Sequence, residues 1–229
     1  MLLYHDVSEA RERGPILRVS PDRFAEHLRW LADARMHCTS ASALIERGFP
    51  EREMAMTFDD GFASARPACE AVLARRWTAT VFVCPRWIDE DRPELLSWRD
   101  LREMAESGIE IGAHGLAHER LCGRDVERLT RSLDEARERI EQHVGCRVTG
   151  LAYPEGLASE AARRAAAMAG YRYACSTLPG RNGVRRDAFW LRRNEVHGTD
   201  DRRVLMARIS GADDWIAPVK ALEARWRCR

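Results

Sequence analysis

The chain has 229 residues, 45% hydrophobic and 32% charged, which suits one large globular domain or two small ones. Its 37 basic and 36 acidic residues leave a formal net charge of +1, so no global field draws it to nucleic acid or to an acidic membrane. No run reaches the roughly 18 apolar residues that a transmembrane segment requires.

From the N-terminus onward, apolar strand-like runs alternate with helical patterns. The opening run, 2–7, reads as a strand and shows neither the basic segment nor the apolar stretch of a secretory leader. Pro21 and Asp22 mark a helix over 22–35, with Phe24, Leu28 and Leu31 forming a 3.6-residue stripe. Further helices are predicted over 40–47, 64–75, 98–107, 124–143, 158–169 and 201–209. The strands between them are predicted over 55–58, 79–84, 109–113, 148–153, 171–176 and 189–196. Gly108 and Gly170 stand where helices end before the next strand. Residues 179–187, rich in Gly, Asn and Arg, read as a loop.

This alternation predicts an α/β fold with a parallel sheet, and seven units point to a distorted (β/α)7-type barrel. A single domain is expected over 1–229, with 200–229 as a helical cover. There Trp215, Ile216, Val219, Leu222 and Trp226 share one helical face, suited either to packing on the barrel wall or to docking on a membrane or partner. The seven cysteines are odd in number and form no C-x-x-C pair, so neither a disulfide framework nor a structural zinc knuckle is expected. With the missing leader, this predicts a cytoplasmic protein.

In barrels of this kind, chemistry gathers beyond the C-terminal ends of the strands. His5, Asp59, Asp60, His114, His118 and Pro154 all fall there. Alone, Asp59-Asp60-Gly61 is ordinary turn composition, and loop histidines are usually solvated. Together they form an Asp-His-His set for a divalent metal, with a spare carboxylate beside it. Asp60, His114 and His118 are the candidate ligands, and Asp59 the candidate base. Zn²⁺ is the first choice of metal; Co²⁺, Fe²⁺ and Ni²⁺ suit the same donors. A general acid is also needed, and His5 and His197 both follow strand candidates. Trp98, Tyr153 and Trp190 suit either sugar stacking or wall packing.

These motifs resemble those of polysaccharide deacetylases of the carbohydrate esterase family 4 type. Thr57-Phe58-Asp59-Asp60-Gly61 matches the family's first motif, which implies Asp59 as base and Asp60 as ligand. The run from Ile109 to Leu121, containing His114 and His118, matches the second, with Gly115 where Ser or Thr is usual. The third motif is altered: Ala152-Tyr153-Pro154-Glu155-Gly156 lacks the family's Arg and carries Glu155 in place of an aromatic. The resemblance implies that Tyr153, Pro154, Glu155 and Gly156 line the substrate site, with the Glu155 main chain serving the oxyanion. Tyr4-His5-Asp6-Val7 is similar to an N-terminal motif of the circularly permuted subgroup resembling poly-N-acetylglucosamine deacetylases. That subgroup implies His5 as the acid. It also implies an arginine on the last strand, best matched by Arg193, which either orients Asp59 or makes an ordinary surface ion pair.

The expected activity is metal-dependent removal of N-acetyl groups from an N-acetylated amino sugar or glycan. The alternatives are hydrolysis of a non-sugar amide and a catalytically silent glycan-binding relative.

Overall fold

The computed structural model describes residues 1–9, 17–212, 214–216, 218–220, 222 and 228. Its main sheet is parallel and has eight strands: β1 (Leu2–Tyr4), β4 (His37–Thr39), β5 (Glu53–Phe58), β6 (Thr80–Val83), β7 (Glu110–Ala113), β8 (Gly150–Ala152), β9 (Tyr173–Cys175) and β10 (Asn194–Glu195); the seven other than β4 curl into a barrel. The strand order is β10-β1-β5-β6-β7-β8-β9, and β4 pairs with the first half of β5. The segment entering β10 draws the ends of that order together, because Leu191 bridges Cys175 on β9 in parallel. Two short strands, β2 (Asp6–Val7) and β3 (Arg18–Val19), form a separate parallel pair beside the barrel mouth.

The helices pack outside: α1 (Pro21–Asp33), α2 (Ala41–Glu46), α3 (Ala65–Leu73), α4 (Pro85–Asp89), α5 (Trp98–Glu106), α6 (Val126–Val144), α7 (Glu160–Met168) and α8 (Arg202–Ser210). Local sequence fixes their limits. The Ser20 hydroxyl accepts from Arg23 N at the start of α1, and Pro21 follows with its φ already helical. Ser97 and Asp100 cap α5 reciprocally, and α6 runs from Asp125 to a left-handed Gly145. Leu129, Leu133, Ala136, Ile140 and Val144 are the buried stripe of α6, each large side chain contributing about 2 kcal/mol by leaving water.

Strand alternation sorts side chains into two cores. Met54, Met56 and Phe58 of β5 and Val81 and Val83 of β6 face the helices. Ala55, Phe82, Ala152, Tyr173, Cys175 and Leu191 fill the barrel interior. Both faces are buried, so these strands read as continuous apolar runs. The interior plug stops short of the C-terminal strand ends, where polar residues take over.

One feature departs from the sequence expectations. Cys122 and Cys228 are joined by a disulfide across 106 residues, where none was expected. Cys38, Cys69, Cys84 and Cys175 are free and buried, as expected for small apolar side chains. Trp215, Val219 and Leu222 of the C-terminal segment are exposed, while Trp226 lies outside the described residues. Among the described residues, no helix is long and apolar enough to cross a membrane.

Candidate active site

The site is built from four strand ends. Asp59 follows β5 directly, and its main-chain N–H donates to Tyr4 O of β1 at 3.0 Å. Asp60 then turns the chain in the left-handed region, at φ 72°. His114 follows β7, its N–H donating to Val83 O of β6 at 2.7 Å. His118 is also left-handed, at φ 56°, and so is Glu155 beyond β8, at φ 57°. Three non-glycine residues in this region, each on a loop at one end of the barrel, store strain where side chains must be aimed. Gly115 has φ 71° and lies against Pro154, whose Cγ would sit 3.1 Å from an added Cβ. This close approach of the second and third motifs gives Gly115, in place of the usual Ser or Thr, a physical reason. Gly156 is constrained further, because a Cβ there would collide with Thr177.

Asp60, His114 and His118 present one ligand atom each, all within 4.8 Å of one another. The Nε2 atoms of His114 and His118 lie 3.3 and 3.4 Å from the same Asp60 Oδ1. That spacing is about the edge of a tetrahedron whose donors stand roughly 2.1 Å from its centre. His114 Nδ1–H donates to Ala152 O at 2.9 Å, which leaves the Nε2 lone pair pointing into the site. Trp87 stacks on His118, ring centroids 4.9 Å apart, and limits its rotation. Asp60 Oδ1 is buried and has no hydrogen-bond partner among the described residues. A buried, orphaned carboxylate oxygen facing two imidazole lone pairs fits a cation. Electrostatics agree. Burial pushes His114 down, but the Asp59 and Asp60 carboxylates more than reverse this and raise it above an ordinary histidine. His118 is instead lowered, by burial and by His114.

Asp59 sits one layer deeper. Arg193, fully buried on the approach to β10, donates through both terminal nitrogens to the two Asp59 oxygens at 2.7 Å each. Arg193 is itself held by donating to Thr57 Oγ1 at 3.1 Å and to Ser176 O at 3.0 Å, with its guanidinium over the Phe82 ring. Of the two readings open in the sequence, the surface ion pair is thus replaced by a buried bidentate one. Burial pushes the Asp59 carboxyl up, but the Arg193 charge, helped by His114, outweighs it and holds the group at about 2. Asp60 is lowered too, because the pull of His114 exceeds the upward push of burial.

These groups open into a cleft of about 470 Å³, whose lining includes His5, Asp59, Asp60, His114 and His118. His5 Nδ1 is buried without a hydrogen-bond partner among the described residues. His197 lies outside the cleft lining, 3.8 Å from Glu195. Of the third motif, Tyr153, Glu155 and Gly156 line the cleft, while Pro154 backs it against Gly115. Tyr153 is buried and its hydroxyl donates to Phe189 O, so it forms floor rather than a stacking platform. The Glu155 carboxylate accepts from Arg120 Nε at 2.8 Å. Trp98 stacks on His143, and Trp190 packs near Tyr153 under Arg163; neither lines the cleft.

Sequence reasoning missed Leu17, Leu157, Thr177, Leu178, Glu195 and Lys220 in the lining. One of them carried a signal: Glu195 stands two residues beyond Arg193, and side chains two apart on a strand share a face.

The model of the polysaccharide deacetylase family matches residues 46–174. The Bacillus subtilis (strain 168) protein YxkH, which carries a polysaccharide deacetylase name, is 27% identical over 186 residues, covering 79% of this chain. The chain spans about 64% of the length of that relative. Among solved structures, the Streptococcus pyogenes deacetylase PplD in complex with acetate superposes with a TM-score of 0.82 at 18% identity, covering 91% of this chain and 96% of that one. IcaB from Ammonifex degensii gives 0.75 at 21% identity, covering 92% and 96%. The deacetylase domain of BpsB from Bordetella bronchiseptica gives 0.70 at 19% identity, covering 84% and 94%. The structural likenesses speak to the fold, and the family match covers the motifs that carry Asp60, His114 and His118. This chain belongs to the polysaccharide deacetylase family.

Proposed function

We propose that the chain is a metal-dependent hydrolase that removes the N-acetyl group from an N-acetylated amino sugar in a glycan, acting as one catalytic unit over 1–229. The observation that carries this is the cluster of Asp60, His114 and His118 above the buried Asp59–Arg193 pair, opening into a cleft shared with His5.

Asp60, His114 and His118 would hold the divalent ion, Zn²⁺ in first place, with Co²⁺, Fe²⁺ or Ni²⁺ as alternatives. When bound, such an ion supplies Lewis acidity toward the acetamide carbonyl and lowers the pKa of water. Asp59, kept ionised and pointed by Arg193, takes a proton from the attacking water as its oxygen bonds to the carbonyl carbon. The main-chain N–H of Glu155, at the tip of the third-motif turn, donates toward the developing oxyanion. His5 then gives a proton to the nitrogen as the C–N bond breaks, leaving acetate and a free amine. His5 is favoured over His197 because it lines the cleft and His197 does not.

The cytoplasmic setting expected from the sequence is weakened by the Cys122–Cys228 disulfide, since such bonds persist mainly in oxidising compartments. We therefore place the protein's work outside the reducing cytoplasm.

The test is acetate release from N-acetylglucosamine oligomers by purified protein, metal-stripped and then reloaded with Zn²⁺ or Co²⁺. Release that appears only on reloading is the expected result. A protein that binds one metal per chain but releases no acetate from these oligomers would reject the amino-sugar reading.

A further inference from the structure

The charges that line the cleft are paired, with one exception. Asp59 is held by Arg193 and Asp60 faces His114 and His118. Glu155 accepts from Arg120, and Glu195 lies 3.8 Å from His197. Lys220 lines the same cleft, and among the described residues its ammonium makes neither an ion pair nor a hydrogen bond. It is also the single lysine of the chain, among 37 basic residues. Arginine serves the fixed ion pairs here, whereas a lysine offers a compact, mobile point charge on a flexible stem.

The segment that carries Lys220 is anchored on both sides. Upstream, the Asp214 carboxylate accepts from Arg181 N at 2.8 Å and from Arg181 Nε at 3.1 Å. Downstream, Cys228 is bonded to Cys122, four residues past the candidate ligand His118. Between these anchors, Lys220 N–H closes a helical turn by donating to Ile216 O at 3.1 Å. Lys220 thus stands between two anchored residues at the mouth of the site.

We propose that Lys220 is a specificity-determining residue, which recognises a carboxylate-bearing sugar beside the N-acetylated one in the glycan substrate. This rests on the deacetylase reading above. One ammonium, with no second uncommitted lysine or arginine among the described lining residues, matches a monoanionic group such as a uronate, rather than the double charge of a phosphate monoester.

The experiment compares two tetrasaccharides by calorimetric titration of the full chain: neutral chitotetraose, and hyaluronan tetrasaccharide, which alternates N-acetylglucosamine with glucuronate. The wild type is expected to prefer hyaluronan about two- to fivefold at low salt, the scale of one exposed ion pair. The preference should shrink as salt screens it. In Lys220→Ala the two affinities should converge, Lys220→Glu should reverse their order, and Lys220→Arg should keep most of the preference. Replacing Cys122 and Cys228 together by Ser should lower the preference as Lys220→Ala does. An unchanged affinity ratio in Lys220→Ala, or failure of the wild type to bind either sugar, overturns the proposal. Acetate release from chitotetraose, measured in parallel, reports on the deacetylase reading separately, since it does not depend on the preference.

Discussion

The two ends of the barrel each hold a carboxylate, half-buried Glu110 at one and buried Asp59 at the other, and they treat it differently. At the N-terminal end, Glu110 accepts from the Thr80 hydroxyl at 2.7 Å, the Tyr173 hydroxyl at 2.9 Å, Ser42 N at 3.1 Å and the Thr149 hydroxyl at 3.5 Å. Every donor is neutral and the oxygens are fully used. At the C-terminal end, Asp59 is gripped by a guanidinium, while Asp60 Oδ1 and His5 Nδ1 beside it are buried without partners among the described residues. Buried polar atoms are rarely left unmatched, because each costs about 1–3 kcal/mol. One end therefore has its carboxylate fully matched. The other leaves buried atoms unmatched, where the proposed ion and substrate would belong.

The contrast can be broken most strongly at Asp59. Asp59→Asn should cut acetate release by about 10² to 10⁴, the usual worth of a positioned base, while metal content stays near one per chain. His114→Ala should abolish both, as read by metal analysis alongside the acetate assay. Equal metal loss in the two variants would erase the division between ligand and base.

Next in size is Arg193→Ala, which strands a buried carboxylate and should lower stability by about 3–5 kcal/mol in denaturant titration. A loss below about 1 kcal/mol would mean that water reaches Asp59 freely. The same pair predicts an acid limb in the metal-free protein. Asp59 lies at about 2 when folded against 3.8 as a free side chain. Its folded value is the lower one, so its contribution is complete above about pH 4 and disappears as pH falls toward 2. The amount lost over that window is about 2 kcal/mol, measured as the difference between wild type and Asp59→Asn.

The smallest effect belongs to the N-terminal end. Tyr173→Phe removes one donor from Glu110 and should cost about 1–2 kcal/mol of stability, with metal binding and acetate release unchanged. A fall in turnover beyond the fall in folded fraction would show that the two ends are coupled through the interior plug.

The sequence by itself determined the order of the main strands and helices and singled out Asp60, His114 and His118, which the fold brings together. Its signals were local: apolar runs bounded by Gly and Pro, two histidines four residues apart, and adjacent carboxylates ending a strand. Three short elements escaped, the first being the two residues of β3. The β4 strand is three residues with no alternation of its own, and exists because it pairs with β5. The α4 helix is five residues, too short to show a period, yet it brings Trp87 onto His118. Tertiary structure alone decided the rest. Arg193 and Asp59 are 134 residues apart, and only burial separates a bidentate clamp from a surface pair. Cys122 and Cys228 carry no spacing signal, and what joins them is a Cα separation of 5.0 Å. Gly115 became explicable when Pro154 was seen against it. Residues that act through neighbours in sequence leave a pattern in it; those that act through neighbours in space leave none until the chain has folded.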